Sequence, residues 1–204
     1  MKNICVIATS RATYGYKRKL IQLIKKDKKL NLQLIVTGMH LMKKFGSSYK
    51  EIIKDKVPIN YKIPIFSNID TNNHFTQGLS KEMKSLAQAY EKLKPDLVIV
   101  TGDRAEMFIA AVTAVYMNLP VAHIQSGDLS GHIDGSVRHA ITKLSHLHFA
   151  SCKDSAERVI KMGEQKWRVH NVGAPQIDDL IKFDKKHVLN SKLKRLLKTN
   201  YFLV

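Results

Sequence analysis

Two short β-branched runs, residues 97–100 and 120–124, each stop at a polar cluster. The first meets Thr101-Gly102-Asp103-Arg104 and the second meets Gln125-Ser126-Gly127-Asp128. The segment between them has helix-forming character. This is the pattern of a βαβ unit, and it leaves few folds open. Parallel strands need a crossover, and the crossover lays a helix on the sheet. In open parallel sheets, ligands bind at the carboxyl ends of the strands. Both strand ends here send polar residues to that edge, so residues 94–139 are where the chemistry is expected.

The rest of the chain repeats the alternation. Apolar runs predict strands over 3–8, 32–36, 59–65, 146–152 and 169–172. Amphipathic spacing predicts helices over 14–30, 41–53 (interrupted near 45–48), 79–93, 103–117, 133–144, 153–162 and 177–183. In the helix over 79–93, the stripe Met83, Leu86, Ala87, Tyr90 and Leu93 is the expected buried face. Alternating β and α elements predict an α/β fold with a doubly wound, Rossmann-like parallel sheet. At the end, Tyr201-Phe202-Leu203-Val204 reads as the start of a further strand. Residues 1–180 are expected to form one domain, and 181–204 a linker helix with the start of another.

Composition narrows the function classes. A chain of 204 residues with 44% hydrophobic residues can build a real core. It has no apolar run long enough to span a membrane. Its first residues are too short an apolar run for a secretory signal, so a cytoplasmic protein is expected. The net charge of +17 comes from scattered lysines, such as Lys25-Lys26, Lys28-Lys29, Lys43-Lys44 and Lys185-Lys186. That scatter suits a solvated surface, and no nucleic-acid module with interleaved aromatics is present. Cys5 and Cys152 lie in apolar runs and are expected to fill core space.

Several residues stand out chemically. Gly102-Asp103-Arg104-Ala105-Glu106 has two readings. Asp103 and Glu106 form a capping box at a helix start, or Asp103 is an acid/base group with Arg104 pairing to phosphate. Arg11, just after the first strand, is a candidate anion ligand at the same edge. The loop from Ser126 to Gly135 is rich in glycine and carboxylate, and Asp128, Asp134, Arg138 and His139 follow closely. His123 is expected to be a satisfied core histidine. His146 and His148 are expected to face one side of a strand. No metal-ligand spacing is present. Neither a Walker motif nor Gly-x-Gly-x-x-Gly occurs, so no dinucleotide cofactor is expected.

Taken together, Arg11-Ala12-Thr13-Tyr14, Thr37-Gly38-Met39-His40-Leu41, Gly102-Asp103-Arg104, His123-Ile124-Gln125 and the run from Ile133 to Leu144 resemble the hydrolysing UDP-N-acetylglucosamine 2-epimerases of sialic- and legionaminic-type acid biosynthesis. The resemblance runs from Asn3 to about Leu180. It implies the N-terminal half of a two-domain, GT-B-type fold, with a UDP-sugar bound in the cleft and no cofactor. It implies acid/base roles for Asp103 and Asp134. Gln125 and Asp128 stand where the family often has glutamate, and glutamine can only orient substrate or water. The resemblance also implies substrate contacts from Arg11, His40, Arg104, Arg138 and His139. Half of such an enzyme is expected to be impaired alone, to expose a partly apolar edge beside Arg11, His40, Asp103 and Asp134, and to self-associate. The competing reading is a nucleotide-sugar binding remnant without catalysis.

Overall fold

Strands that are apolar along their whole length must be covered on both faces, and here they are. The computed structural model describes residues 1–66 and 71–178. Its elements run β1 (Lys2–Ala8), α1 (Arg11–Lys26), β2 (Leu30–Thr37), α2 (Tyr49–Lys54), β3 (Tyr61–Ile63), α3 (Asn72–Leu93), β4 (Leu97–Thr101), α4 (Ala105–Tyr116), β5 (Val121–Ile124), α5 (His132–Leu144), β6 (Leu147–Ala150), α6 (Lys153–Lys161) and β7 (Val169–Asn171). The strands form one parallel sheet in the order β3-β2-β1-β4-β5-β6-β7. This is the expected doubly wound, Rossmann-like α/β fold. Its order reverses between β1 and β4, and the crevice for a ligand opens at that reversal.

Alternate strand residues divide between two cores. Cys5, Ile7, Ile35, Val98 and Val100 pack with Leu86 and Tyr90 of α3, Met107 and Ala110 of α4, and Ile141 of α5. Val6, Ala8, Leu34, Val36 and Ile99 pack with Tyr14, Ile21 and Ile24 of α1 and Ile52 of α2. The small side chains Ala110, Ala111 and Ala114 of α4 are all fully buried, which lets that helix lie close to its neighbours.

Helix ends depart most from expectation. α1 starts three residues early because Ser10 and Thr13 form a capping box. It stops at Lys26, and Leu30 already belongs to β2. α3 starts seven residues early, capped by Thr71, which accepts from the His74 amide. On α3 Glu82 is buried in line with Leu86 and Tyr90, while Met83 is 37% exposed. The expected helix over 41–53 is instead two 3-10 turns, Gly38–Leu41 and Lys43–Phe45, followed by α2. β3 shortens to three residues at the sheet edge. His146 precedes β6, where its Nδ1 accepts from the Val121 amide, so only His148 turns inward. Cys5 fills core space, but Cys152 is exposed ahead of α6. Nearly all of the expected helix over 177–183, the 180/181 boundary and the expected strand at 201–204 lie outside the described residues.

Candidate functional site

The carboxyl ends of β1, β2, β4 and β5 deliver the singled-out residues to one edge. β4 ends at Thr101, and Gly102 (φ +74°), Asp103 and Arg104 follow. Arg104, not Asp103, precedes α4, and its side chain makes no cap bond. The capping-box reading of Asp103 and Glu106 therefore fails. β5 ends in a tight loop with Gln125 at φ +63° and Gly127 at φ +76°. A left-handed non-glycine residue costs about 1 kcal/mol or more. The amides of Gln125 and Ser126 both bond to the Phe149 carbonyl, which holds this turn in place. At Gly127, an added Cβ would sit 2.3 Å from the Ser155 carbonyl oxygen, so only glycine lets α6 approach.

Arg138 gathers these loops. It sits in α5 with its side chain only 10% exposed. Nη2 donates to Asp103 Oδ2 and to Ser130 Oγ (2.8 Å), and Ser130 Oγ donates to the same Asp103 oxygen (2.8 Å). Nη1 donates to the Gln125 carbonyl at 3.1 Å and lies 3.6 Å from Asp128 Oδ2. The Ser151 hydroxyl donates to Asp128 Oδ1. One guanidinium thus fixes two carboxylates from two loops, each 22% exposed. Asp103 Oδ1 stays outside these bonds. His123 supports the same edge from below. Fully buried, it bridges the Gly102 carbonyl (2.8 Å from Nε2) and the Thr142 hydroxyl (3.1 Å from Nδ1). Burial is the main cause that lowers its pKa to about 3, so it is a neutral core histidine.

Beside this cluster, a cavity of about 660 Å³ is lined by Ser10, Arg11, Met39, Ser48, Lys50 and Arg104, among others. Arg11 stands exposed in the first turn of α1. Arg104 is 32% exposed and is paired to Glu106 Oε1 at 2.9 Å. Two arginines on one polar cavity suit an anionic ligand.

Not every expected residue reaches the opening. Arg138 is an internal clamp. His40 is fully buried, its Nδ1 is 2.8 Å from Ser48 Oγ, and its ring stands edge-on to Tyr14. Burial first, and the Lys17 charge second, lower the His40 pKa to about 4. Asp134 is exposed in the first turn of α5, outside the Arg138 cluster. His139 is partly buried, and its Nδ1 has no partner among the described residues. Leu129 and Ile133 are each 73% exposed and Phe45 is 43% exposed, so the edge is partly apolar. Sequence reasoning missed Ser130, Ser151, Lys17 and Glu82. Of these, only Glu82 left a signal: it lies one turn before Leu86, which lies one turn before Tyr90.

A family model described as UDP-N-acetylglucosamine 2-epimerase matches residues 22–204. The chain belongs to that family. The GDP/UDP-N,N'-diacetylbacillosamine 2-epimerase (hydrolyzing) of Campylobacter jejuni is 38% identical over 206 residues, spanning 100% of this chain and 53% of that protein. The UDP-N,N'-diacetylbacillosamine 2-epimerase (hydrolyzing) of Legionella pneumophila is 34% identical over 183 residues, 90% of this chain and 48% of that protein. Among solved structures, UDP-GlcNAc 2-epimerase from Neisseria meningitidis bound to UDP-GlcNAc matches with a TM-score of 0.77 at 22% identity, covering 89% of this chain and 48% of that one. The chain thus spans about half the length of the curated relatives it matches. Its fold is the N-terminal half of their GT-B-type architecture.

Proposed function

We propose that this epimerase chain supplies the sugar-side wall of a hydrolysing nucleotide-sugar 2-epimerase. The substrate is UDP-N-acetylglucosamine or a diacetamido-trideoxy nucleotide sugar, and the product feeds sialic-type acid synthesis in the cytoplasm. The observation that carries this reading is the Arg138 clamp. It presents Asp103 at a strand's carboxyl end, beside a cavity that holds Arg11 and Arg104. Two of the similar relatives bear the word hydrolyzing in their names. A second domain, in the same chain or another, closes the cleft.

The chemistry asks for what this edge contains. A base removes the proton on carbon 2, and the bond from carbon 1 to the diphosphate oxygen breaks. The electron pair of the C–H bond becomes the double bond of a glycal, and UDP departs with the other pair. Water then adds hydroxyl at carbon 1, and an acid returns a proton to carbon 2 on the opposite face. Asp103 and Asp134 are the proton carriers, and Gln125 and Asp128 orient sugar and water. Arg11 and Arg104 neutralise the departing diphosphate. Positioned acid/base groups contribute about 10²–10⁴ in rate.

The test is proton NMR in heavy water with UDP-N-acetylglucosamine, with and without a separately made second half of a close relative. Free UDP, N-acetylmannosamine and deuterium at carbon 2 are the expected products of the mixture. Asp103→Asn and Asp134→Asn should each lower deuterium incorporation by about 10² or more. Broadened sugar resonances without exchange, with the second half present, would instead identify a binding module that does not catalyse.

A further inference from the structure

Two carboxylates that the proposed chemistry does not use lie buried behind Arg104. Glu106 in the first turn of α4 and Glu82 in the middle of α3 are both fully buried. A buried carboxylate is costly unless it is paired. Glu106 has its pair, because Oε1 accepts from Arg104 Nη2 at 2.9 Å and from Nε at 3.3 Å. Its other oxygen and both oxygens of Glu82 have no hydrogen-bond partner among the described residues. The loop after β2 confines the same carboxylate. Gly38 has φ +59°, and a Cβ there would lie 2.6 Å from Glu106 Oε1. The groups facing Glu82 are Glu106 and Arg104 on α4 and its N-terminus, Thr37 at the end of β2, and Tyr90 two turns along α3. Burial, and then the Glu106 charge, push the Glu82 carboxyl up to about 8. At neutral pH Glu82 is therefore the uncharged neighbour of the Arg104–Glu106 pair.

We propose that Glu106 is a positioning residue: it grips Arg104 through Nε and Nη2 so that Nη1 is left for an anionic oxygen of a nucleoside diphosphate, and the proton on Glu82 sets how much positive charge Arg104 presents. This rests on reading the cavity as a nucleotide-sugar site. Loss of the Glu82 proton places a second negative charge behind Arg104. Ligand affinity then falls as pH rises through the Glu82 titration.

The experiment titrates UDP-N-acetylglucosamine into wild type, Glu106→Gln, Arg104→Lys and Glu82→Gln, from about pH 7 to about pH 9. The Arg104 Nε–H resonance is followed by nitrogen-15 NMR in the same samples without ligand. Glu106→Gln should weaken binding about tenfold and expose the Nε–H to solvent exchange. Arg104→Lys keeps the charge but not the fork, and should lose as much, which covers a Glu106 variant that folds poorly. Wild type should lose affinity several-fold across the pH range, while Glu82→Gln stays flat. Undiminished binding in both Glu106→Gln and Arg104→Lys overturns the positioning role. Parallel pH profiles in wild type and Glu82→Gln overturn the role of Glu82. A wild type that binds nothing sinks the reading of the cavity instead. In that case the Nε–H signal still decides the grip: its loss in Glu106→Gln supports the pairing, and its survival overturns it.

Discussion

Arg138 offers five N–H donors in a rigid fork. The structure directs them to Asp103, Ser130 and the Gln125 carbonyl, with Asp128 close by. A lysine carries one ammonium and cannot reach all of these at once. Arg138→Met should leave both carboxylates unpaired and cost about 3 kcal/mol, the low end for a buried pair because each Asp is partly exposed; urea unfolding measures it. Glu82 gives a pH-dependent prediction. Its carboxyl is raised to about 8 in the folded chain. Its contribution to stability is therefore full below the unfolded value and is lost as pH rises through the folded one. Glu82→Gln never ionises, so its advantage over wild type should grow by about 1.4 kcal/mol per pH unit across that window. Thermal unfolding at about pH 5 and about pH 8 tests this, and an equal gap at both would sink it. The sequence made Asp103 and Arg104 visible because polar residues stood where an apolar run stopped, and Arg138 because it follows a glycine- and carboxylate-rich loop. For Glu82 it gave only the spacing to Leu86 and Tyr90, and a single carboxylate on an amphipathic helix looks solvated until the neighbouring helices are placed around it.

At the scale of elements, the strands and the starts of α4, α5 and α6 were legible to within two residues, and the starts of α1 and α3 were not. A strand covered on both faces must be apolar throughout, and that is written in the local sequence. A helix start depends on one capping oxygen, as at Ser10 and Thr71, and the residues after each look no different from a loop. The turn over Lys43–Phe45 falls in the helix expected from residue 41, because spacing is ambiguous over so few residues. The loop after β5 depends on another close approach, that of α6 to Gly127. Gly127→Ala would drive its Cβ to 2.3 Å from the Ser155 carbonyl and 2.6 Å from Val159, at a positive φ. The expected cost is about 3 kcal/mol in urea unfolding, from overpacking and backbone strain together. Gly131→Ala is the control: nothing lies within 4 Å of its added Cβ. Equal effects at the two sites would mean that the loop, not its seat on α6, sets the cost.

Over the whole molecule, a net charge of +17 has to be reconciled with a cavity proposed to take a small anion. Among the described residues, two groups of basic side chains stand at opposite ends of the sheet. Lys25 and Lys26 in the last turn of α1, and Lys28 and Lys29 in the turn to β2, stand exposed at the amino edge of the strands. Arg11, Lys50, Lys54 and Arg104 line the cavity at the carboxyl edge. A duplex needs a continuous basic track, because each phosphate it engages releases a counterion and steepens the salt dependence. Charges at opposite edges, tens of ångströms apart in a sheet of this size, cannot act as one track when the screening length is about 8 Å at physiological salt. The proposed nucleotide-sugar ligand would meet only the cavity on this half, and Arg104, partly buried against Glu106, is screened less than an exposed lysine. The two ligands should therefore separate by salt. Between about 50 mM and about 200 mM salt, retention on duplex DNA should fall by about 10² or more, while the affinity for UDP-N-acetylglucosamine should fall less than about threefold. Filter binding and a nucleotide-sugar titration on one preparation measure both. DNA retention that survived the higher salt would mean that these lysines converge on one face in solution, and the basic surface would then be a binding site in its own right.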